Sequence, residues 1–217
     1  ALMAGQTRPM WDFEDIGDWW TRADPAGIAP IVAVPTTSGT GSEVGRASVI
    51  TKEDTHEKKL IFHPKMLPAI VISDPELTVG LPPHVTAATG VDAFVHCFEA
   101  HCAPGYHPMA DGVALEGMRL IADALPRAYD NGKGLGGVHA LAHPIGAIFD
   151  THHGLTNAIL LPYVMRANRR AIEGNCETIC RLLGLAAPGF DTLFEWVLSF
   201  RTRLGIVNTL AEIGVDV

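Results

Sequence analysis

Asp92 and His96 stand four residues apart in GVDAFVHCFEA, His139 and His143 repeat that spacing in HALAHPIG, and His153 follows in THHG, just ahead of a long apolar run. A step of four on a helix stacks two side chains on one face, so either pair can approach one ion from the same side. Asp92, His96, His139 and His153 together supply one carboxylate and three imidazoles, a complete donor set for one divalent metal ion. Carboxylate oxygen with imidazole nitrogen suits Zn, Fe or Mn better than Ca or Mg, which take oxygen, or Cu(I), which takes sulfur. Donor softness leaves those three metals open. Ten histidines in 217 residues will give some such neighbours by chance. Both pairs, however, lie in apolar, Ala- and Gly-rich sequence, where an ionisable group is costly to bury unless it is paired or coordinated.

A second patch of chemistry lies upstream. PTTSGTGSEV (35–44) follows the run IVAV and gathers Thr36, Thr37, Ser38, Gly39, Thr40, Gly41 and Ser42 into one loop. Small residues let backbone N–H groups approach a ligand, and the hydroxyls can rotate to meet phosphate or sugar oxygens. The loop is neither GxGxxG nor a Walker sequence, and a solvated turn between strands would have the same composition. Lys58 and Lys59 open the next strand but one, where successive side chains face opposite ways, so one ammonium could reach a phosphate while the other meets solvent.

Two textures must position these groups. In the first eighty residues IVAVP (31–35), RASVIT (46–51), KLIF (59–62) and AIVIS (69–73) read as short strands bounded by Gly, Pro and charged turns. From Leu81 onward helical signals dominate. One helix is expected from Pro83 to about His101, and a second from about Pro108 to Ala124 with Leu115, Met118, Leu120 and Ile121 inward. LGGVHALAHPIGAIF reads as a buried helix, LTNAILLPYVMRAN as another with Pro162 as a possible kink, and DTLFEWVLSFRTRLG and VNTLAEIG close the chain. The expected division is 1–80, strand-rich, and 81–217, all-helical. All the metal candidates fall on the helical side, which puts the expected active site beside the junction.

With 47% apolar residues the chain can bury a core, and a net charge of -8 without a basic face argues against nucleic acid as a partner. No apolar stretch approaches the ~20 residues that cross a bilayer, and ALMAGQTRPMWDFED lacks a basic start followed by an apolar run. A cytoplasmic location is the expectation. Cys97, Cys102, Cys176 and Cys180 form neither CxxC nor a dense framework and read as reduced thiols in helices. The chain starts in sequence that reads as the interior of a domain, so an incomplete chain is expected.

Taken in order, PTTSGTGSE, KKLIFHPKMLP, DPELT, LPP, TGVDAFVHCFEA, HALAHPIG and HHGLTNAILLPYVMRAN strongly resemble the iron-containing alcohol dehydrogenase family over nearly the whole chain. The resemblance implies part of a Rossmann-like α/β nucleotide-binding domain followed by an all-α metal-binding domain, an architecture like that of dehydroquinate synthase. It assigns the metal to Asp92, His96, His139 and His153, and places His143 in the active site beside the nicotinamide ring, with His152 as a neighbour of the substrate pocket. Thr36, Thr37, Ser38 and Thr40 become cofactor contacts, and Lys58 resembles the family lysine that reaches the cofactor, with Lys59 as the competing register. The implied cofactors are Fe2+, with Zn2+ or Mn2+ as alternatives, and NAD or NADP. The implied reaction is hydride transfer between a primary alcohol or its aldehyde and the nicotinamide, with a homo-oligomer, by default a dimer, as the assembly.

The sequence departs from the family in three places. The glycine-rich pyrophosphate loop lies upstream of anything in this chain, and relatives continue by a helix or two beyond Val217. Between the Asp130–Gly132 turn and His139, only KGLGG stands where the family places a further helix, and residues absent from the structure are the expected reason. The rival enzymatic reading is a metal-dependent hydrolase or lyase with Glu99 as general base. A maleylacetate reductase- or glycerol dehydrogenase-like relative is a second rival, and a helical module stabilised by metal is a third. Phe94, Phe98, His101, Phe149 and His152 are candidates for lining a pocket, against ordinary helix packing.

Overall fold

The computed structural model describes residues 1–37, 39–131 and 153–215; the side chains of Trp19, Asn131 and His153 fall outside that description. The chain divides into two compact units, Ala1–Thr36 with Gly41–Leu77, and Thr37–Thr40 with Thr78–Val217.

All four expected strands form in the first unit, as two separate pairs. β1 (Val32–Ala33) lies parallel to β4 (Ile70–Val71), with Val32 opposite Ile70. β2 (Ala47–Lys52) and β3 (Glu57–Phe62) make an antiparallel hairpin in which Ile50 faces Lys59 and Thr51 faces Lys58. Alternation along β2 turns Ile50 inward, where it packs with Leu2, Phe13, Ile61 and Met66 in a small core. Short 3₁₀ turns supply the rest of this unit's regular structure among the described residues.

Helices make the second unit. α1 (Pro83–Cys102) begins with a proline at its first turn, where the missing N–H costs nothing, and stops at Ala103, just before Pro104 and Gly105. Every residue from Thr86 to Val95 is buried, so this helix is enclosed on all sides. α2 (Pro108–Asn131) returns against α1 along the stripe Ala114, Met118, Ile121, Leu125 and Ala128, spaced by alternating steps of four and three. Leu120, expected inward, is 48% exposed, because it falls off that stripe, and Leu115 is only partly buried.

α3 (His153–Ala167) packs on α1 and carries Pro162 inside it. α4 (Arg169–Leu182), which the sequence reading passed over, buries Ile172, Cys176, Ile179 and Cys180. α5 (Phe190–Arg203) closes on α3 and α4 with Phe190, Leu193, Phe194, Val197 and Phe200 inward. The expected last helix in VNTLAEIG shrinks to one 3₁₀ turn, Ala211–Ile213. Thr209 and Glu212 form its start, with the Thr209 hydroxyl donating to Glu212 Oε1 at 2.6 Å, and Gly214 ends it at φ 82°.

KGLGG, where the family places a further helix, and His139 lie outside the described residues. Among the described residues no helix is long and apolar enough to cross a membrane.

Candidate metal centre

Within the buried stretch Thr86–Val95, Asp92 is the one charged side chain, 3% exposed. A carboxylate there has lost most of its hydration and must recover it from neighbours. His96 follows one turn later on the same face of α1 and is half-buried. Phe94, two residues from each, points to the opposite side of the helix and locks it. Its ring lies 5.4 Å from that of Trp196 and 6.1 Å from that of Phe200, which themselves stack at 4.7 Å. Phe94 is thus a packing residue, and its apolar anchorage fixes the direction in which Asp92 and His96 project.

That direction meets the first turn of α3. Gly154 sits so close to α1 that a Cβ there would lie 2.7 Å from the Ala88 carbonyl oxygen and 3.3 Å from Asp92 Cβ. Only a glycine admits this approach. One turn further along α3, Asn157 Nδ2 donates to Asp92 Oδ1 at 2.6 Å, and both residues are 3% exposed. His153 immediately precedes Gly154 and opens α3, so the chain delivers this candidate ligand position to the neighbourhood of Asp92.

These observations fit a divalent cation. The acid is buried and in need of compensation, the helix pair is drawn together around it, and oxygen and imidazole donors arise from α1 one turn apart. Asp92 and His96 are the two candidate ligands whose side chains are described, with His153 placed by its backbone alone. His139, His143, His152, Phe149 and Ser38 lie outside the described residues. Among the described residues, no three His, Cys, Asp or Glu side chains group as a metal set.

Further along the same helix, a cavity of about 690 Å³ opens beside the last turn of α1, lined among others by Phe98, Glu99, His101, Cys102 and Asp111. Burial pushes the Glu99 carboxyl above its ordinary range. Burial likewise drives the Cys102 thiol up to about 12 and the Cys176 thiol to about 11, and all four cysteines are free thiols as expected.

After β1 the chain passes through Val34 and Pro35 into the Thr/Ser/Gly loop, where Gly41 takes φ 59°, the left-handed region. Thr36 and Thr40 are exposed and Thr37 is half-buried. On β3, Lys59 pairs with Glu14 at 2.9 Å and Glu57 at 3.0 Å, and the Glu14 hydrogen bond leads in holding its ammonium above the usual lysine range. Lys58 points to the other face of the strand and makes no ion pair among the described residues.

A helical unit built around one buried, braced acid, following a unit of short strands with a hydroxyl-rich loop, defines the class: a two-part enzyme-like chain with a candidate metal centre. Residues 1–75 match the family described as "Iron-containing alcohol dehydrogenase", and residues 86–135 and 131–217 match "Fe-containing alcohol dehydrogenase family, C-terminal". The chain belongs to the iron-containing alcohol dehydrogenase family. The two C-terminal matches overlap at residues 131–135.

Among curated relatives, the chain is 38% identical to 4-hydroxybutyrate dehydrogenase of Cupriavidus necator over 218 residues, covering 86% of this chain and 56% of the relative. The chain thus spans little more than half the length of that relative. Among solved structures it resembles a 1,3-propanediol oxidoreductase with a TM-score of 0.88 at 32% identity, covering 99% of this chain and 62% of that one. It also resembles sulfoacetaldehyde reductase from Bifidobacterium kashiwanohense, determined in complex with NAD+, with a TM-score of 0.81 at 27% identity, covering 97% and 60%.

The residues that sequence reasoning passed over are Gly154 and Asn157. Their signal was present: in HHGLTNAILLP, Asn157 lies four residues after His153, on the same face of an otherwise apolar helix.

Proposed function

We propose that this chain forms part of a metal-dependent oxidoreductase that transfers hydride between a primary alcohol, or its aldehyde, and a nicotinamide cofactor. The observation that carries the reading is the buried Asp92, one turn from His96 and facing the start of α3 where His153 stands. Asp92, His96, His139 and His153 would hold one divalent ion, with Fe2+ as the family's namesake metal and Zn2+ or Mn2+ compatible with the same donors. When bound, the ion supplies Lewis-acid polarisation of the alcohol oxygen and the nicotinamide supplies the hydride acceptor.

The chain's own residues do the rest. Thr36, Thr37, Ser38 and Thr40 offer hydroxyl and backbone donors to the cofactor, and Lys58, the lysine not engaged by Glu14 and Glu57, offers the ammonium for its phosphate. His143 carries the alcohol proton toward solvent, since an imidazole exchanges protons near neutral pH. The sulfoacetaldehyde reductase complex with NAD+ is in keeping with a nicotinamide cofactor. A homodimer and a cytoplasmic location belong to the same proposal and rest on family resemblance.

The test is elemental analysis of the purified chain beside Asp92→Ala and His153→Ala, with nicotinamide absorbance followed on addition of primary alcohols. One equivalent of metal in the parent chain and loss in both variants is expected. Full retention in both variants would remove the proposal. The hydrolase reading gives Glu99 the base's role, and metal-dependent ester or amide cleavage without nicotinamide turnover would favour it.

A further inference from the structure

We propose that Asn157 is a positioning residue: its side-chain amide fixes the Asp92 carboxylate as a ready-oriented metal ligand, and Gly154 makes that contact possible by letting α3 touch α1. This rests on the reading of Asp92 as a ligand given above.

The argument starts from the helix pair. Asp92 and Asn157 are 65 positions apart in the chain, yet both are buried and joined at 2.6 Å. A bond this short between an amide and a carboxylate is charge-assisted, and burial strengthens it by excluding competing water. With Oδ1 held by the amide, the plane of the carboxylate is set before any cation arrives. The rotational freedom that a ligand would otherwise lose on binding has already been removed by folding.

The bond depends on helix spacing. Asn157 reaches Asp92 only because Gly154, one turn earlier, brings the α3 backbone against Ala88, one turn before Asp92 on α1. Ala88 and Asp92 on one helix therefore oppose Gly154 and Asn157 on the other, each pair at a spacing that shares a face. Gly154 also follows His153 directly, so the contact that seats the helix start also sets where that histidine enters. One small residue and one amide thus tie the two candidate ligand positions to each other.

The alternative is that Asn157 only satisfies a buried acid. In that case its loss would lower folding stability but leave the affinity for metal unchanged once the chain is folded. Metal affinity in the folded chain separates the two roles.

The probe is Co2+, titrated into the metal-free, full chain with a competing chelator, with the visible d–d bands read alongside. The variants are Asn157→Leu, which keeps volume but removes the donor, Asn157→Ala, which covers the case in which the leucine does not fold, and Asp92→Ala. Expected is one-equivalent binding by the parent chain and none by Asp92→Ala. The Asn157 variants should keep one equivalent at roughly 10- to 100-fold weaker affinity, with altered d–d bands. Affinity within twofold and unchanged bands in the folded Asn157 variants would overturn the positioning role while sparing the ligand assignment. A parent chain that takes up no Co2+, or an Asp92→Ala variant that binds as tightly as the parent, would overturn both.

Discussion

Gly154 and Ala88 mark a tight helix crossing beside the buried acid: a methyl group at 154 would stand 2.7 Å from the Ala88 carbonyl oxygen. That oxygen belongs to a helical backbone and cannot swing aside, so α3 would have to move. Gly154→Ala should therefore destabilise the helical unit by about 1–3 kcal/mol, the usual range for overpacking. Urea unfolding followed by circular dichroism measures it, and a midpoint equal to that of the parent would show the crossing to be slack.

The two lysines of β3 should separate by function. Lys59 is held by Glu14 and Glu57 at the surface, so Lys59→Ala should change stability little and leave cofactor affinity untouched. Under the proposed function, Lys58→Ala should weaken nicotinamide cofactor binding by roughly 10- to 100-fold, the equivalent of one charge-assisted contact, with stability unchanged. Cofactor titration by fluorescence reads both variants. The reverse assignment would make Lys59 the cofactor lysine.

Phe94 should be the most costly truncation in α1. Its ring joins Trp196 and Phe200 of α5, and removing it opens a cavity on the side of α1 opposite Asp92. Phe94→Ala is expected to cost about 3–5 kcal/mol, and Phe94→Leu markedly less, by thermal or urea unfolding.

Glu99 gives a pH signature. Burial raises its carboxyl above an ordinary glutamate's 4.5, so the folded chain favours the protonated acid. The stabilising contribution is complete below 4.5 and is lost as pH rises through the higher folded value. Glu99→Gln, which stays neutral, should thus be more stable than the parent at pH 7 and should lose that advantage on acidification below 4.5. A difference that stays constant across this range would mean the carboxyl is not perturbed by folding.

Much of this architecture was legible because its signals are local. The four β-branched runs became four strands, and the proline before His84 marked the start of α1. What could not be read was the pairing: nothing in IVAVP or AIVIS says that they lie parallel to each other, while RASVIT and KLIF close a separate hairpin. α4 went unseen because its apolar residues, Ile172, Cys176, Ile179 and Cys180, form one narrow stripe in a helix that also carries Arg169, Arg170, Glu173, Glu177 and Arg181. Leu120 was misplaced because an apolar side chain near a stripe looks like part of it until the partner helix fixes the phase.

The candidate site divides in the same way. Asp92, His96, His139 and His153 were grouped from their donor types and the family motifs pick the same four, of which Asp92 and His96 have described side chains. The Asn157 bond was not readable, since it joins helices far apart in sequence and depends on how closely a glycine lets them approach. The family motif favoured Lys58 over Lys59, and the Glu14 pairing of Lys59, from a distant turn, could not be read from the sequence.

The β1–β4 ribbon carries a consequence for handling the isolated chain. Parallel strands are ordinarily covered on both faces, yet here Val32, Val34, Ile70 and Ile72 are each at least 46% open to water, and among the described residues no third strand joins them. Such a ribbon is adhesive: its bare margins accept further extended chains and its oily side chains gain by being hidden. Concentrated preparations of this polypeptide will therefore tend to clump through this ribbon, independently of any metal loaded among the helices.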